Sequence, residues 1–115
     1  MNKELIDTVV TRYAEEIKKK YGSKLYQVIL YGSCARGDYD NESDIDIMVL
    51  LNVPQEQVKY ERKEARTVAN NLDKEFGFNV LIMPTVQSRE HFKKYENVLP
   101  LFSNIIKEGI FYAGL

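Results

Sequence analysis

Two aspartates one residue apart at the start of an apolar run constrain the fold more than any other feature of the chain. The run DIDIMVLL, from Asp44 to Leu51, has the length and composition of a buried strand. Residues two apart in a strand point to the same face, so Asp44 and Asp46 are expected side by side, with Cβ atoms about 6–7 Å apart. Ile45 and Ile47 then face the core. The chain must bury one face of this strand while keeping two carboxylates together at its beginning.

Two carboxylates this close repel each other, and the pKa of one rises unless a positive charge lies between them. Mg²⁺ is a natural partner, because it takes oxygen ligands, usually one or two carboxylates plus substrate phosphates. Two such ions about 3.5–4 Å apart form the clamp used in phosphoryl and nucleotidyl transfer. The alternative is a strand that begins at a polar turn with both acids solvated. Taken alone, the pair favours that simpler interpretation.

A Gly-Ser step ahead of the aspartate pair favours a cation and phosphate site over a strand start with solvated acids. Gly32 and Ser33 directly follow the apolar run KLYQVILY, and glycine permits both a sharp turn and the close approach of a phosphate. Ser33 and the amides after it could begin a helical turn, whose free N–H groups bind phosphate. Arg36 follows at a suitable distance, and its guanidinium is well shaped for phosphate. Each feature alone also has an ordinary interpretation, as a loop dipeptide or a surface arginine.

Hydrophobic periodicity predicts an α+β fold, a small mixed sheet with helices packed on it in the order αβαβαβα. The first helix is predicted to end at Gly22. The later helices are predicted over 54–77 and 100–109, with a short helix after Ser88, and the strands over 25–31, 45–51 and 78–84. The last helix is expected to turn four residues inward: Leu101, Phe102, Ile105 and Ile106. The tail, 110–115, is expected to add an edge strand or simply to pack.

Composition narrows the class of protein. The chain has 115 residues and a formal net charge of -1, which suits one domain and argues against a nucleic-acid coat or a membrane-surface binder. A net charge near zero is still compatible with a small anionic ligand such as a nucleotide. The single cysteine, Cys34, cannot form an internal disulfide, which suits a reducing cytoplasm. The N-terminal segment is too charged for a signal peptide or a membrane span.

The joint motif resembles that of a known superfamily. The Gly32-Ser33 step, ten intervening residues and the Asp44-Ile45-Asp46 triplet are similar to the signature of the DNA polymerase β-like nucleotidyltransferases. The stretch GSCARGDYDNESDIDIMV further resembles the minimal nucleotidyltransferases, the small prokaryotic branch of that superfamily. The resemblance extends over nearly the whole chain and implies one minimal nucleotidyltransferase domain, 1–115, with the nucleotidyltransferase fold.

The resemblance also implies roles for the motif residues. Asp44 and Asp46 would hold Mg²⁺ between the enzyme and a nucleoside triphosphate, and Gly32 and Ser33 would hold its β- and γ-phosphates. Arg36 would help to balance the phosphate charge. The implied reaction is attack by a hydroxyl or another nucleophile on the α-phosphorus, with release of pyrophosphate. The protein's contribution would be positioning and neutralisation of charge.

The family's third carboxylate, a general base or metal ligand on the third strand, has no counterpart in GFNVLIMP. The aligned position is Asn79, a candidate catalytic residue that offers a carbonyl oxygen but cannot take a proton at neutral pH. An acid from a nearby segment could substitute, and the candidates are Asp73, Glu75 and Glu90.

Three functions follow as alternatives. The resemblance implies a nucleotidyltransferase that moves AMP from ATP to a protein, as the antitoxin of a helical HEPN-type toxin encoded nearby. Asn79 favours a second function, a weak or inactive binding module that neutralises a partner by contact. The third is a nucleotide-binding subunit that needs another chain to complete its site. The short chain favours a macromolecular acceptor, and it argues against aminoglycoside and tRNA-terminal transferases, which carry extra domains.

Overall fold

A four-stranded mixed sheet organises the computed structural model, which describes residues 1–114 of the chain, with side chains described through 112. The elements follow in chain order: α1 (Lys3–Tyr21), β1 (Leu25–Tyr31), α2 (Ser33–Arg36), β2 (Ile45–Leu51), α3 (Val58–Glu75), β3 (Ile82–Ser88), α4 (Arg89–Tyr95), α5 (Pro100–Glu108) and β4 (Ile110–Gly114). The α+β class expected from the sequence is confirmed. Among the described residues, no helix combines the length and the apolar character needed to cross a bilayer.

The first helix begins and ends at recognisable capping residues. The side chain of Asn2 accepts the Leu5 amide at the start of α1, and Gly22, with φ 52°, ends that helix as predicted. The predicted helix over 54–77 is shorter than expected, because a 3₁₀ turn at Gln55–Gln57 precedes α3.

The sheet brings the end of β1 beside the start of β2. The strand order is β3-β2-β1-β4, with β1 antiparallel to β2 and β4, and β3 parallel to β2. Both β1 and β2 have the predicted bounds. In their register Tyr31 pairs with Asp46, and on the other side Asp46 pairs with Met83 of β3. The Gly-Ser turn and the aspartate pair therefore meet at one end of the sheet.

Each face of the sheet packs against its own helices. On one face Ile45 and Ile47 join the core formed with α1 and α3, and on the other Met48 and Leu50 pack against α4 and α5. Side chains alternate along a strand. Asp46 therefore points toward the α4–α5 face.

The third strand lies farther along the chain than the prediction over 78–84. It runs over Ile82–Ser88, because a turn occupies the residues after α3. Gly77 and Phe78 both have positive φ, 67° and 59°, and the Asp73 carboxylate accepts the Ile82 amide at 3.0 Å. A run that appears continuously apolar in the sequence is thus half turn and half strand.

The last helix buries only two of the four residues expected inside. Phe102 and Ile105 are buried, whereas Leu101 and Ile106 are 48 % and 47 % exposed. The helix is nine residues long and lies on one short section of the sheet. Only the central stripe of its wide apolar face is therefore fully buried. The tail forms an edge strand, β4, beside β1. Leu115, the last residue of the predicted tail, lies outside the described residues.

Candidate active site

The Gly-Ser turn is packed directly against the aspartate pair. Gly32 has φ 76°, and a Cβ atom built on it would lie 2.5 Å from Oδ2 of Asp46. No other residue type at position 32 leaves both the turn and the Asp46 carboxylate in place, because any Cβ would displace one of them. Glycine therefore fixes the distance between the two halves of the motif.

A single helical turn follows this glycine. The amides of Ala35 and Arg36 both donate to the Gly32 carbonyl at 3.1 Å. The first amides of a helical turn, here those of Ser33 and Cys34, have no acceptor within the turn. They follow directly on the glycine that touches Asp46, which suits the binding of an anion such as a phosphate.

The two aspartates differ in environment. Asp44 is exposed just ahead of β2, whereas Asp46 is half-buried within it. Burial raises the pKa of the Asp46 carboxyl, the negative charge of Asp44 raises it further, and the positive charge of Arg36 opposes both. The Cys34 thiol donates to the Asp44 carbonyl at 3.4 Å and so links α2 to the start of β2. The pair is therefore a half-buried, negatively charged site that a cation would stabilise.

Arg36 is near enough for its charge to act on Asp46, but its guanidinium is held by two other carboxylates. Its Nε donates to Asp38 at 3.2 Å, and its Nη1 donates to Glu108 at 3.4 Å. Glu108 ends α5 and is separated from Arg36 by 72 positions in the chain. Sequence reasoning missed Glu108, since no local pattern connects the end of α5 with α2. A phosphate would have to compete with these two acids for the guanidinium.

Asn79 does not lie on the third strand, and the prediction that placed it there is wrong. It is an exposed residue of the turn after α3, and its side-chain amide donates to the Phe76 carbonyl at 3.1 Å. The β3 residue that pairs with Asp46 is Met83. The next residue on the same face is Thr85, whose hydroxyl lies 3.3 Å from the Tyr31 hydroxyl. In place of the expected third carboxylate, β3 thus carries the Met83 thioether, followed by the Thr85 hydroxyl near that of Tyr31.

The three substitute acids are also placed elsewhere. Asp73 is buried, 4 % exposed, and accepts the Ile82 amide. Glu75 forms an ion pair with Arg12 of α1 at 3.0 Å. Glu90 lies just after β3, at the end of the sheet opposite to the aspartate pair. None of the three joins the pair.

The residues present fit a magnesium ion carried by a nucleotide. Among residues 1–114, no group of three or more His, Cys, Asp and Glu side chains comes together as a protein-only metal site. Asp44 and Asp46 offer two carboxylates, and Mg²⁺ in phosphate-handling sites commonly takes one or two carboxylates and completes its shell with phosphates and water. The adjacent Gly-Ser turn supplies a place for those phosphates.

Comparisons with known proteins point to one family. A family model described as "Nucleotidyltransferase domain" matches residues 10–112. A curated relative from Methanocaldococcus jannaschii, named "Putative protein adenylyltransferase MJ0604", is 33 % identical over 103 residues, which cover 90 % of this chain and 93 % of the relative.

Solved structures show the same fold at lower identity. The crystal structure of "a putative nucleotidyltransferase from Sulfolobus solfataricus" has a TM-score of 0.69 at 17 % identity, covering 97 % of this chain and 83 % of the other. A chain from a crystal structure described as "the toxin-antitoxin with AMP-PNP" has a TM-score of 0.55 at 16 % identity, covering 91 % and 73 %.

Proposed function

This chain belongs to the nucleotidyltransferase domain family, and from that premise we propose that it transfers AMP from magnesium-bound ATP to a protein acceptor. The observation that carries the proposal is the contact between Gly32 and Asp46. It brings the glycine turn, with the first amides of α2, against one of the two carboxylates, and this supports a site that holds a triphosphate together with its cation.

Each motif residue has a role in this reaction. Asp44 and Asp46 hold the cation, and Ser33 with the first amides of α2 binds the β- and γ-phosphates. Bound magnesium supplies Lewis-acid neutralisation of phosphate charge. Arg36 leaves Asp38 and Glu108 to contact phosphate.

These residues position the nucleotide for in-line attack on its α-phosphorus. A hydroxyl oxygen of the acceptor forms a new bond to that phosphorus, while the bond to the pyrophosphate oxygen breaks. Because β3 contains no acid and pairs Met83 with Asp46, the proton of the attacking hydroxyl passes to water or to a side chain of the acceptor.

The proposed acceptor class rests on similarity to other proteins. A relative that covers most of this chain is named as a protein adenylyltransferase, and one structural neighbour comes from a toxin–antitoxin complex with AMP-PNP. The sequence resembles antitoxins that modify a HEPN-type toxin, and we propose a partner of that kind. The lone Cys34 suits a reducing compartment, so we assign the reaction to the cytoplasm, where ATP and Mg²⁺ are available.

The test is incubation of the protein with α-labelled ATP, Mg²⁺ and the product of the neighbouring gene. We expect label on the partner, and we expect its loss in Asp44→Asn. Glu42→Gln is the matched control, because it removes one charge from the same exposed loop without touching the pair. Equal labelling of the partner by wild type and Asp44→Asn would contradict the proposal.

A second candidate is a binding module that neutralises its partner by contact. It is favoured by the absence of an acid in β3, whose sequence is IMPTVQS. Inhibition of the partner that survives Asp44→Asn, without labelling, would select this function. Labelling that appears only when another chain is added, and that depends on an acid of that chain, would select the third alternative, a subunit of a shared site.

A further inference from the structure

One peptide group, between Leu81 and Ile82, is hydrogen-bonded on both sides. Its N–H donates to Oδ1 of Asp73 at 3.0 Å, and its carbonyl accepts the Ile45 amide at 2.8 Å. Ile45 is the residue between Asp44 and Asp46. A continuous chain of two hydrogen bonds therefore runs from the Asp73 carboxylate in α3 to the backbone that carries the aspartate pair.

Asp73 is an unusual residue for its position. It is 4 % exposed, whereas the next two residues of α3, Lys74 and Glu75, are exposed. Burial of a carboxylate is unfavourable unless it is hydrogen-bonded. Desolvation raises the pKa of Asp73, while the hydrogen bond from Ile82 and the charge of Arg66 oppose that rise. The buried Asp73 carboxylate is thus stabilised by its hydrogen bond from the Ile82 amide.

Asp73 also fixes the turn that leads to β3. Its carbonyl accepts the Phe78 amide at 2.8 Å, and Gly77 and Phe78 take positive φ values at this contact. The side chain and the backbone of one residue therefore hold both ends of the turn over 77–81. This leaves the Leu81 carbonyl in one defined position.

The position of the Leu81 carbonyl affects β2, because β2 begins at Ile45, whose amide donates to that carbonyl. The bond from Ile45 to Leu81 is the first link between β2 and the segment entering β3, and the paired registers Ile45–Ile82 and Asp46–Met83 follow it. Asp44 lies just ahead of this link. A charged acceptor on the Ile82 amide also polarises the peptide, which strengthens its carbonyl as an acceptor for Ile45.

We propose that Asp73 is a positioning residue for the aspartate pair, acting through the Leu81–Ile82 peptide to hold Ile45 and thereby the two carboxylates. This inference rests on the proposed function, in which the pair binds magnesium and nucleotide. Residues that orient metal ligands through hydrogen bonds typically change metal affinity by about 10–100-fold when removed. Loss of the Asp73 carboxylate is expected to weaken binding of the magnesium–nucleotide complex about tenfold.

The test compares Asp73→Ala and Asp73→Asn in the full chain. Binding of Mg²⁺ with a non-hydrolysable ATP analogue is measured by calorimetry, and exchange of the Ile45 amide is measured by NMR without ligand. Asp73→Ala is expected to bind about tenfold more weakly and to exchange the Ile45 amide faster. Asp73→Asn keeps an oxygen acceptor, so its affinity is expected to stay within about threefold of wild type.

Tyr13→Phe is the matched control for general destabilisation. It removes another buried bond to α3, from the Tyr13 hydroxyl to the Ala65 carbonyl at 3.1 Å, far along the helix from the turn. It is expected to lower the melting temperature while leaving the affinity and the Ile45 exchange unchanged. If Asp73→Ala does not fold, Asp73→Glu replaces it, because the extra methylene shifts the acceptor while the charge stays.

The outcomes separate this inference from the proposed function. Wild-type affinity and wild-type Ile45 exchange in Asp73→Ala, or in Asp73→Glu if that replaces it, would overturn the positioning role and leave the function intact. If wild type itself does not bind the magnesium–analogue complex, the proposed function fails. The ligand-free exchange of Ile45 then still decides whether Asp73 holds that backbone: faster exchange in the variant supports it, and unchanged exchange overturns it.

Discussion

The Asp46 carboxylate lies against the Cα of Gly32, in the space that a side chain at position 32 would fill. Gly32 directly follows β1 and Asp46 lies within β2, and the register in which Tyr31 pairs with Asp46 brings the two residues together. The Gly-Ser turn and the strand that carries Asp46 are therefore packed directly against each other. A single carbon atom added at position 32 would therefore change the geometry of the site.

Gly32→Ala is expected to disable ligand binding. The new Cβ would collide with Oδ2 of Asp46, and alanine is strained at φ 76°. We expect magnesium–nucleotide affinity to fall at least tenfold and stability to fall by about 1–3 kcal/mol, measured by calorimetry and chemical denaturation. Gly37→Ala is the control, because Gly37 has φ 92° but nothing within 4 Å of the added atom. It should lose stability and keep its affinity; equal loss of affinity in both variants would argue against the collision.

Asp46→Asn is expected to change how stability depends on pH in the metal-free protein. Burial and the charge of Asp44 raise the pKa of Asp46 above its ordinary value of 3.8. Between that value and the raised one the folded state binds more protons than the unfolded state, so this group makes stability fall as the pH rises. Asparagine does not titrate. Melting temperatures from pH 4 to pH 7 with a chelator should therefore show the advantage of Asp46→Asn over wild type growing with pH, and a constant difference would contradict this.

Glu108→Gln is expected to strengthen nucleotide binding, because Glu108 holds the Arg36 guanidinium, which in the proposed function would instead contact phosphate. Exposed ion pairs contribute about 0–1 kcal/mol, so the gain in affinity should be at most about fivefold, measured by titration with the magnesium–ATP analogue. Glu56→Gln, which removes an exposed acid near the other end of the sheet, controls for net charge. Weaker binding in Glu108→Gln would mean that Glu108 orients Arg36 instead of competing for it.

A third carboxylate is expected to help at Met83 and not at Asn79. Asn79→Asp places its acid in an exposed turn, whereas Met83→Asp places it beside Asp46. We expect Met83→Asp to raise Mg²⁺ affinity severalfold and to lower the stability of the metal-free protein, because three carboxylates repel one another. Asn79→Asp should stay within about twofold of wild type. Calorimetric titration with Mg²⁺ measures both, and a gain in Asn79→Asp alone would contradict the placement.

The amino-acid sequence alone was enough to predict the motif, the α+β class and the bounds of β1 and β2. These features depend on short-range rules: alternation along a strand, a glycine at a turn and a cap at a helix end. The spacing of the Gly-Ser step and the aspartate pair also sufficed to indicate the nucleotidyltransferase family, since every residue of that motif lies within one stretch of the chain.

Three features could be read only from the folded chain: the start of β3, the buried residues of α5 and the surroundings of Arg36. The strand starts at Ile82 because Asp73, nine positions earlier, takes its amide, and Arg36 meets Glu108 because β4 returns the chain to β1. Such contacts join residues distant in sequence, so no local pattern encodes them. They depend on the register of the assembled sheet and on the space that each helix finds on its face.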